Sequence, residues 1–377
     1  MTGGTIICMG NFELPDLNAA AHRVVNNGKL FRRLGFETVF LGVSRKEGGF
    51  SGTVRREYGF GFDMYEQAYP ATTRQWVKQI FDVGSLCRLA DRYPDTVAVL
   101  LYNTQYATLL AARRAFHKRG IRVLYDCTEW NGYTEGNALK RAVKALDSRL
   151  IENRLPESCD GLIAVSTAME KRYGERTPLL LLPPLVDTSA AVWRQPPRHN
   201  DTFTFCYAGE PSDKDRLDLL LQAFARLPAG KAALRIIGMT AEAYAAGRPD
   251  APDGVPAGVE FVGRLGHDET VREILGCGCF VFLREPSRRN TAGFPTKFVE
   301  ACTCGVPVIT TAVSDIERYA DERCLIVPEI TVDGIVCAML DVLARPSRPR
   351  TLRDTFDYAR YTDGCRRWLE RIPCRKE

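Results

Sequence analysis

The sequence predicts an α/β protein built from two doubly wound, Rossmann-like parallel sheets in tandem. Three observations carry that expectation. At 377 residues the chain exceeds what one hydrophobic core ordinarily organises. Short apolar, β-branched runs alternate with longer amphipathic patterns, as they do when parallel strands are covered on both faces. A stretch with four prolines and little periodicity, LLPPLVDTSAAVWRQPPRHND, interrupts the alternation near mid-chain.

The first half supplies candidate strands TIICMG, ETVFLGV, TVAVLLYN, IRVLYD and GLIAVS. Between the first two, NAAAHRVVNNGKLFRRLG places Ala21, Val24, Gly28 and Phe31 on one helical face, with Gly35 as a stop. The second half repeats the scheme with TFTFCYAG, ALRIIG, GVEFVGRL, CFVFLRE, VPVITT and CLIVPE. A helix from Lys214 sets Leu217, Leu220, Leu221, Phe224 and Leu227 on one side. These patterns divide the chain into residues 1–190 and 191–355, hinged near 183–200. An amphipathic helix in residues 356–377 is expected to pack back on the first domain.

Composition narrows the class. No run of eighteen apolar residues is present, so no membrane-spanning helix is expected. The start, MTGGTIICMGNFELPD, has no basic segment before its apolar stretch and reads as a strand rather than a signal peptide. Thirteen cysteines, several inside strands, suit reduced thiols in a cytoplasm. The pairs Cys277/Cys279 and Cys302/Cys304 lack the second pair of ligands that a zinc site needs. The whole net charge of +5 lies in residues 1–190, with 25 Lys+Arg against 20 Asp+Glu. That excess is compatible with solvated helix faces or with an anionic membrane surface. Nothing resembles a basic-aromatic groove for nucleic acid.

Ligands of doubly wound sheets bind beyond the carboxyl ends of strands. In TAGFPTKFVEACTCGVPVITT a helix is expected to start near Pro295, which suits a first helical position because its missing N–H would be unpaired there. Such a start presents free amides and the positive end of the helix dipole to an anion, and Gly293 admits close approach. Thr296 could offer N–H and hydroxyl to a phosphate, and Lys297 shares a face with Gly293. Glu300, one turn deeper, has the two acceptor oxygens that a ribose diol requires. All of these also read as ordinary residues of an amphipathic helix.

GFPTKFVEACTCGVPVITT, with AGEPSDKDRLDLLLQAF and FVGRLGHDETVREILGCGCFVFLRE, resembles the carboxyl-terminal domain of retaining GT-B glycosyltransferases of family 4 and its relatives. MGNFELPDLNAAAHRVVNNGKLFRRLGFETVFLGV and VLYDCTEW resemble the amino-terminal domain of bacterial members that build surface polysaccharides. The resemblance implies two domains facing a cleft and a nucleotide-diphosphate sugar, uridine being the expected base. It implies transfer with retained anomeric configuration, no enzyme nucleophile, no metal and no cofactor beyond the donor. The acceptor would be a glycan or a lipid-linked glycan, and the protein would be cytoplasmic, peripheral at the inner membrane face.

Residue by residue, the likeness assigns Glu300 to the donor ribose, and Phe294 and Thr296 to the phosphates. The family's first glutamate, eight positions earlier and taking the transferred sugar, falls on Ala292, leaving Glu285, Arg288 or Asn290 as substitutes, Arg288 being the donor-site candidate. Lys214 matches a lysine that offsets charge on the leaving diphosphate, whereas the companion arginine after Gly209 is replaced by Glu210. Arg264 stands where the base docks. On the acceptor side Asp126 and Glu129 occupy a place where relatives often carry histidine, and could orient hydroxyls or act as base. Asp126 also reads as a turn cap. Gly10 and Asn18 bound a second cleft loop, in which Asn18 could equally cap a helix. Two other readings remain open: a catalytically degenerate nucleotide-binding subunit and a sugar-nucleotide epimerase.

Overall fold

The computed structural model describes residues 3–15, 17–45, 54–57, 60–130, 138–209, 215–246, 255–345 and 351–373, with backbone alone for 54–57 and 138–140. The chain divides into two compact units. One comprises Met1–Val186, Ala292–Phe294 and Asp357–Glu377; the other comprises Asp187–Thr291 and Pro295–Phe356.

The first unit holds an eight-stranded sheet of β1 (Thr5–Gly10), β2 (Glu37–Ser44), β3 (Val54–Glu57), β4 (Asp63–Ala68), β5 (Thr96–Tyr102), β6 (Arg122–Cys127), β7 (Gly161–Ala164) and β8 (Leu179–Leu181). Their order is β3-β4-β2-β1-β5-β6-β7-β8, parallel except for the antiparallel β3–β4 pair. The entirely buried β1 pairs with β2 from Thr5↔Glu37 and with β5 through Ile6↔Ala98. Strand order therefore reverses between β1 and β5, which makes their carboxyl ends the place to seek a ligand.

The helix Ala19–Arg33 packs on this sheet because Gly28 carries no Cβ, which would fall 2.6 Å from Phe40 Cζ. Phe40 meets Phe12 and Phe62 edge-on, with centroids 6.3 and 5.2 Å apart, as ring quadrupoles favour. The helix Thr362–Arg371 buries Cys365, Trp368 and Leu369 within the same unit. Trp368 Nε1 donates to Pro178 O at 3.0 Å, and Arg371 Nη2 donates to Leu179 O at 3.0 Å.

The second unit holds six parallel strands: β9 (Thr204–Ala208), β10 (Ala233–Ile237), β11 (Val259–Gly263), β12 (Cys279–Val281), β13 (Val308–Thr311) and β14 (Cys324–Val327). Their order, β11-β10-β9-β12-β13-β14, reverses between β9 and β12. Two expectations need correction. The run CFVFLRE is strand only to Val281, because Arg284 N–H turns to Thr311 Oγ1 at 3.0 Å and Leu283 O accepts Arg216 N–H at 2.9 Å. The helix expected from Lys214 begins at Leu217, after Asp215 has bridged to Arg284.

Among the described residues the cysteines are free thiols, Cys277, Cys279, Cys302 and Cys304 being buried. No described helix is long and apolar enough to cross a membrane.

Candidate functional site

The reversal between β9 and β12 brings together Lys297, Asp215 and Arg284. β9 carries Tyr207 and leads into Gly209, whose φ of +118° is a backbone state that side chains rarely adopt. A Cβ there would lie 2.4 Å from Lys297 Cε, so glycine makes room for the lysine. Lys297 comes from the second position of the helix Thr296–Thr303. Its Nζ donates to Asp215 Oδ2 at 2.7 Å and to Tyr207 OH at 2.5 Å, and the Tyr207 hydroxyl donates to Asp215 Oδ2 at 2.8 Å. From the end of β12, Arg284 Nε donates to Asp215 Oδ1 at 2.7 Å.

Two cations thus share one carboxylate, and the cluster retains a net positive charge. Burial would raise the Asp215 carboxyl, but Lys297 and Arg284 outweigh it and hold the group below the usual carboxylate range. Burial pushes the Lys297 ammonium down to about 8, against the opposing pull of Asp215. An anion arriving here would meet a partly neutralised cationic site whose side chains are already oriented, which suits stabilisation of developing negative charge.

One turn along the same helix, Glu300 is a quarter exposed. Burial raises its carboxyl above the ordinary value, while His267 and Lys297 pull the other way. His267 Nε2 lies 3.9 Å from Glu300 Oε1, too long for a hydrogen bond but close enough for a charged imidazole to matter. His267 opens the helix His267–Gly276 and meets Trp193 edge-on at 6.1 Å. The helix Thr296–Thr303 has Pro295 at its N-cap and no side-chain cap, leaving its first turn without a competing side-chain acceptor.

Of the other expected donor residues, Thr296 and Gly293 are half-buried and Phe294 is buried. Arg264 is exposed in the turn after β11, and Arg288 is exposed on the short helix Arg288–Ala292. Ala292 is fully buried. Among the suggested substitutes for the absent glutamate, Glu285 is paired with Arg216. Asn290 donates to Glu285 O at 2.8 Å, while its buried Oδ1 has no partner among the described residues. Lys214 and Glu210 lie outside the described residues.

In the first unit Asp126 is 0% exposed and holds Arg23 through Nη2 at 2.7 Å and Nε at 2.9 Å. It also accepts Asn27 Nδ2 at 3.0 Å, while Arg23 donates onward to Leu182 O at 3.2 Å. Both carboxylate oxygens are committed, so this geometry presents neither a base nor an acceptor ligand; the turn-cap alternative is likewise replaced by a buried ion pair. Asn18 caps the helix Ala19–Arg33 by accepting Ala21 N–H at 2.9 Å. Gly10 permits close strand approach, since a Cβ would stand 2.7 Å from Tyr102 O. Glu129, by contrast, lines an open pocket of about 290 Å³ with Trp130, Asn103 and Thr104.

Sequence pattern did not single out Asp215, Arg284, Tyr207 or His267. The only local signal was the dense charge in KDR and GRLGHDE after strands.

Residues 202–345 match the family model described as "Glycosyl transferases group 1". This match covers most of the second unit and all of the charged cluster just described. Among curated protein sequences, none matches the chain.

Solved structures similar to the whole chain include a sucrose-phosphate synthase from Thermosynechococcus elongatus, with a TM-score of 0.68, 15% identity, and coverage of 98% of this chain and 95% of that one. A UDP-forming α,α-trehalose-phosphate synthase from Burkholderia xenovorans, in complex with glucose-6-phosphate, gives 0.65 at 12% identity, covering 97% and 100%. The Anabaena protein HepE in complex with UDP-glucose gives 0.59 at 13% identity, covering 97% and 99%. At such identities the likeness establishes the fold: two parallel-sheet α/β domains with GT-B neighbours.

Proposed function

We propose that the chain is a glycosyltransferase that moves a sugar from a nucleoside-diphosphate sugar, with uridine as base, to a hydroxyl of a glycan or lipid-linked acceptor. The observation that carries this reading is the pairing of Lys297 and Arg284 around Asp215, with Glu300 one turn away on an uncapped helix start. The family match over residues 202–345 supports it, as do neighbours solved with UDP-glucose and with glucose-6-phosphate.

In this proposal the amides of Thr296 and Lys297 receive the diphosphate, and the Lys297–Arg284 pair supplies the surrounding positive field. Glu300 accepts the ribose diol. Lys214 approaches the leaving phosphate and offsets charge as the glycosidic bond stretches. Asn290, whose buried Oδ1 has no partner among the described residues, turns toward the donor sugar on binding and takes over from the glutamate replaced by Ala292. The acceptor hydroxyl attacks from the face that the diphosphate leaves, and a diphosphate oxygen takes its proton, so configuration is retained. Charge is compensated by side chains, and turnover in EDTA tests this. Loss of activity in chelator, with rescue by Mg²⁺ or Mn²⁺, overturns the metal-free reading.

The role we infer is in cell-surface polysaccharide or glycoconjugate synthesis. The basic excess of residues 1–190 supports a peripheral position at an anionic inner membrane face. Sedimentation with anionic vesicles at low salt tests that; equal recovery with neutral vesicles contradicts it.

The full proposal is tested by incubating the protein with UDP-, GDP- and ADP-glucose and a mixed glycan acceptor. Release of nucleoside diphosphate is measured, and the new anomeric signal is read by NMR. The expected result is acceptor-dependent release from the UDP sugar and an α-linked product. Isomerised donor without release identifies an epimerase. The fully buried Ala292 favours, as a second reading, a subunit that binds nucleotide without turnover.

A further inference from the structure

The first unit contains a pocket of about 290 Å³ at the carboxyl ends of β1, β5 and β6, at the point where strand order reverses. Its floor follows β5: Asn103 has a positive φ of 45°, and Thr128 N–H donates to Asn103 Oδ1 at 3.0 Å. Three lining residues are carboxylates, Glu129, Asp147 and Glu152, and among the described residues none that lines it is Lys, Arg or His. Asp147 Oδ1 accepts Tyr106 N–H at 2.8 Å, which fixes its place at the start of the helix Tyr106–His117.

A second, independent feature points to a ligand. Thr104 lines the same pocket and is only 7% exposed, yet its hydroxyl has no hydrogen-bond partner among the described residues. A buried hydroxyl left unpaired is costly unless something else satisfies it. The half-buried indole of Trp130 adds an aromatic wall, held by its Nε1 donating to Tyr173 OH at 2.9 Å. Carboxylate and amide acceptors, a vacant hydroxyl and an aromatic side chain together suit a ring of hydroxyl groups. They oppose a phosphate, because like charges brought together in a recess are strongly disfavoured.

Resting on the glycosyltransferase reading, we infer that this pocket binds the acceptor, and that the bound end of the acceptor is a hydroxyl-rich sugar without phosphate or carboxylate. This sets the chain apart from the similar structure that holds glucose-6-phosphate.

Saturation-transfer NMR on the full chain tests it with methyl α-glucoside, lactose, glucosamine and glucose-6-phosphate. The expected result is transfer to at least one of the first three and none to glucose-6-phosphate. Thr104→Val should weaken that binding about tenfold without lowering the melting temperature, because no protein hydrogen bond is lost. Glu129→Gln combined with Glu152→Gln should admit glucose-6-phosphate. Binding of the phosphate by the unaltered protein, no response to any non-anionic sugar, or full binding by Thr104→Val overturns the inference. UDP added to the same samples reports on the donor site separately, so failure of the glycosyltransferase reading is seen as absent nucleotide binding.

Discussion

Lys297 and Asp215, 82 residues apart in sequence, meet at 2.7 Å beneath the end of β9, and Arg284 closes on the other oxygen of the same carboxylate. The carboxylate is buried and the two cations are nearly so. Asp215 therefore holds together the strand ends that frame the proposed donor site. Replacing it with asparagine leaves two buried cations facing one another. Asp215→Asn should lose about 3–5 kcal/mol at neutral pH, the usual cost of removing one partner of a buried pair, as read by urea unfolding. Because the folded carboxyl sits below its unfolded value, its stabilising effect is complete above about pH 3.9 and is lost as pH falls through the lower folded value. The gap between wild type and variant should narrow below about pH 4. A gap independent of acid would contradict the ion-pair account.

Gly209→Ala tests the space reserved for Lys297. The added methyl would lie 2.4 Å from Lys297 Cε, on a backbone with φ of +118°. Strain of about 1–3 kcal/mol is expected from the backbone alone. The variant should melt lower and bind nucleotide more weakly than Lys297→Met, which keeps the glycine.

Nucleotide affinity should depend on pH in both directions. Glu300 must be ionised to accept two ribose hydroxyls, and its raised carboxyl means affinity falls on acidification at a higher pH than an ordinary glutamate would dictate. Loss of the Lys297 proton above about pH 8 reduces the positive charge of the cluster, so affinity should also fall on the alkaline side. Calorimetric titration with UDP across pH 4.5–9.5 checks this. Glu300→Gln should flatten the acid limb and weaken binding by roughly ten- to a hundredfold, the equivalent of about 1.5–3 kcal/mol for hydrogen bonds to a charged group. His267→Phe should move the acid limb upward, because the imidazole now lowers the Glu300 carboxyl.

Asp126 yields a contrasting expectation. Its contacts with Arg23 and Asn27 are wholly internal, so Asp126→Ala should destabilise by about 3–5 kcal/mol by stranding Arg23. The double change Arg23→Met with Asp126→Leu should recover most of that stability, measured by the same unfolding curves. Recovered folding with transfer still abolished would instead assign Asp126 to the chemistry.

The order of strands and helices was legible wherever burial was two-sided, as in TIICMG and TFTFCYAG, because short continuous apolar runs between turn residues suit a strand covered on both faces. The edge pair of VRRE and DMYEQA was not, since its strands are short and polar, DMYEQA gaining its structure from β2 beside it and VRRE from DMYEQA. A helix start beside Pro295 and the placing of Glu300 one turn later followed from local chemistry, although the proline takes the N-cap and Thr296 the first helical position. Partnerships did not. Arg23 lies 103 residues from Asp126, and no nearby pattern announces that the aspartate is consumed by it. Separation in sequence likewise concealed the role of Asp215, which looked like one more charge in a loop.

The central claim is best tested by a crystal structure of the chain soaked with UDP. The account predicts diphosphate oxygens within hydrogen-bond reach of the Thr296 and Lys297 amides, and both ribose hydroxyls on Glu300. UDP bound elsewhere, with no ribose hydroxyl on Glu300, would contradict it.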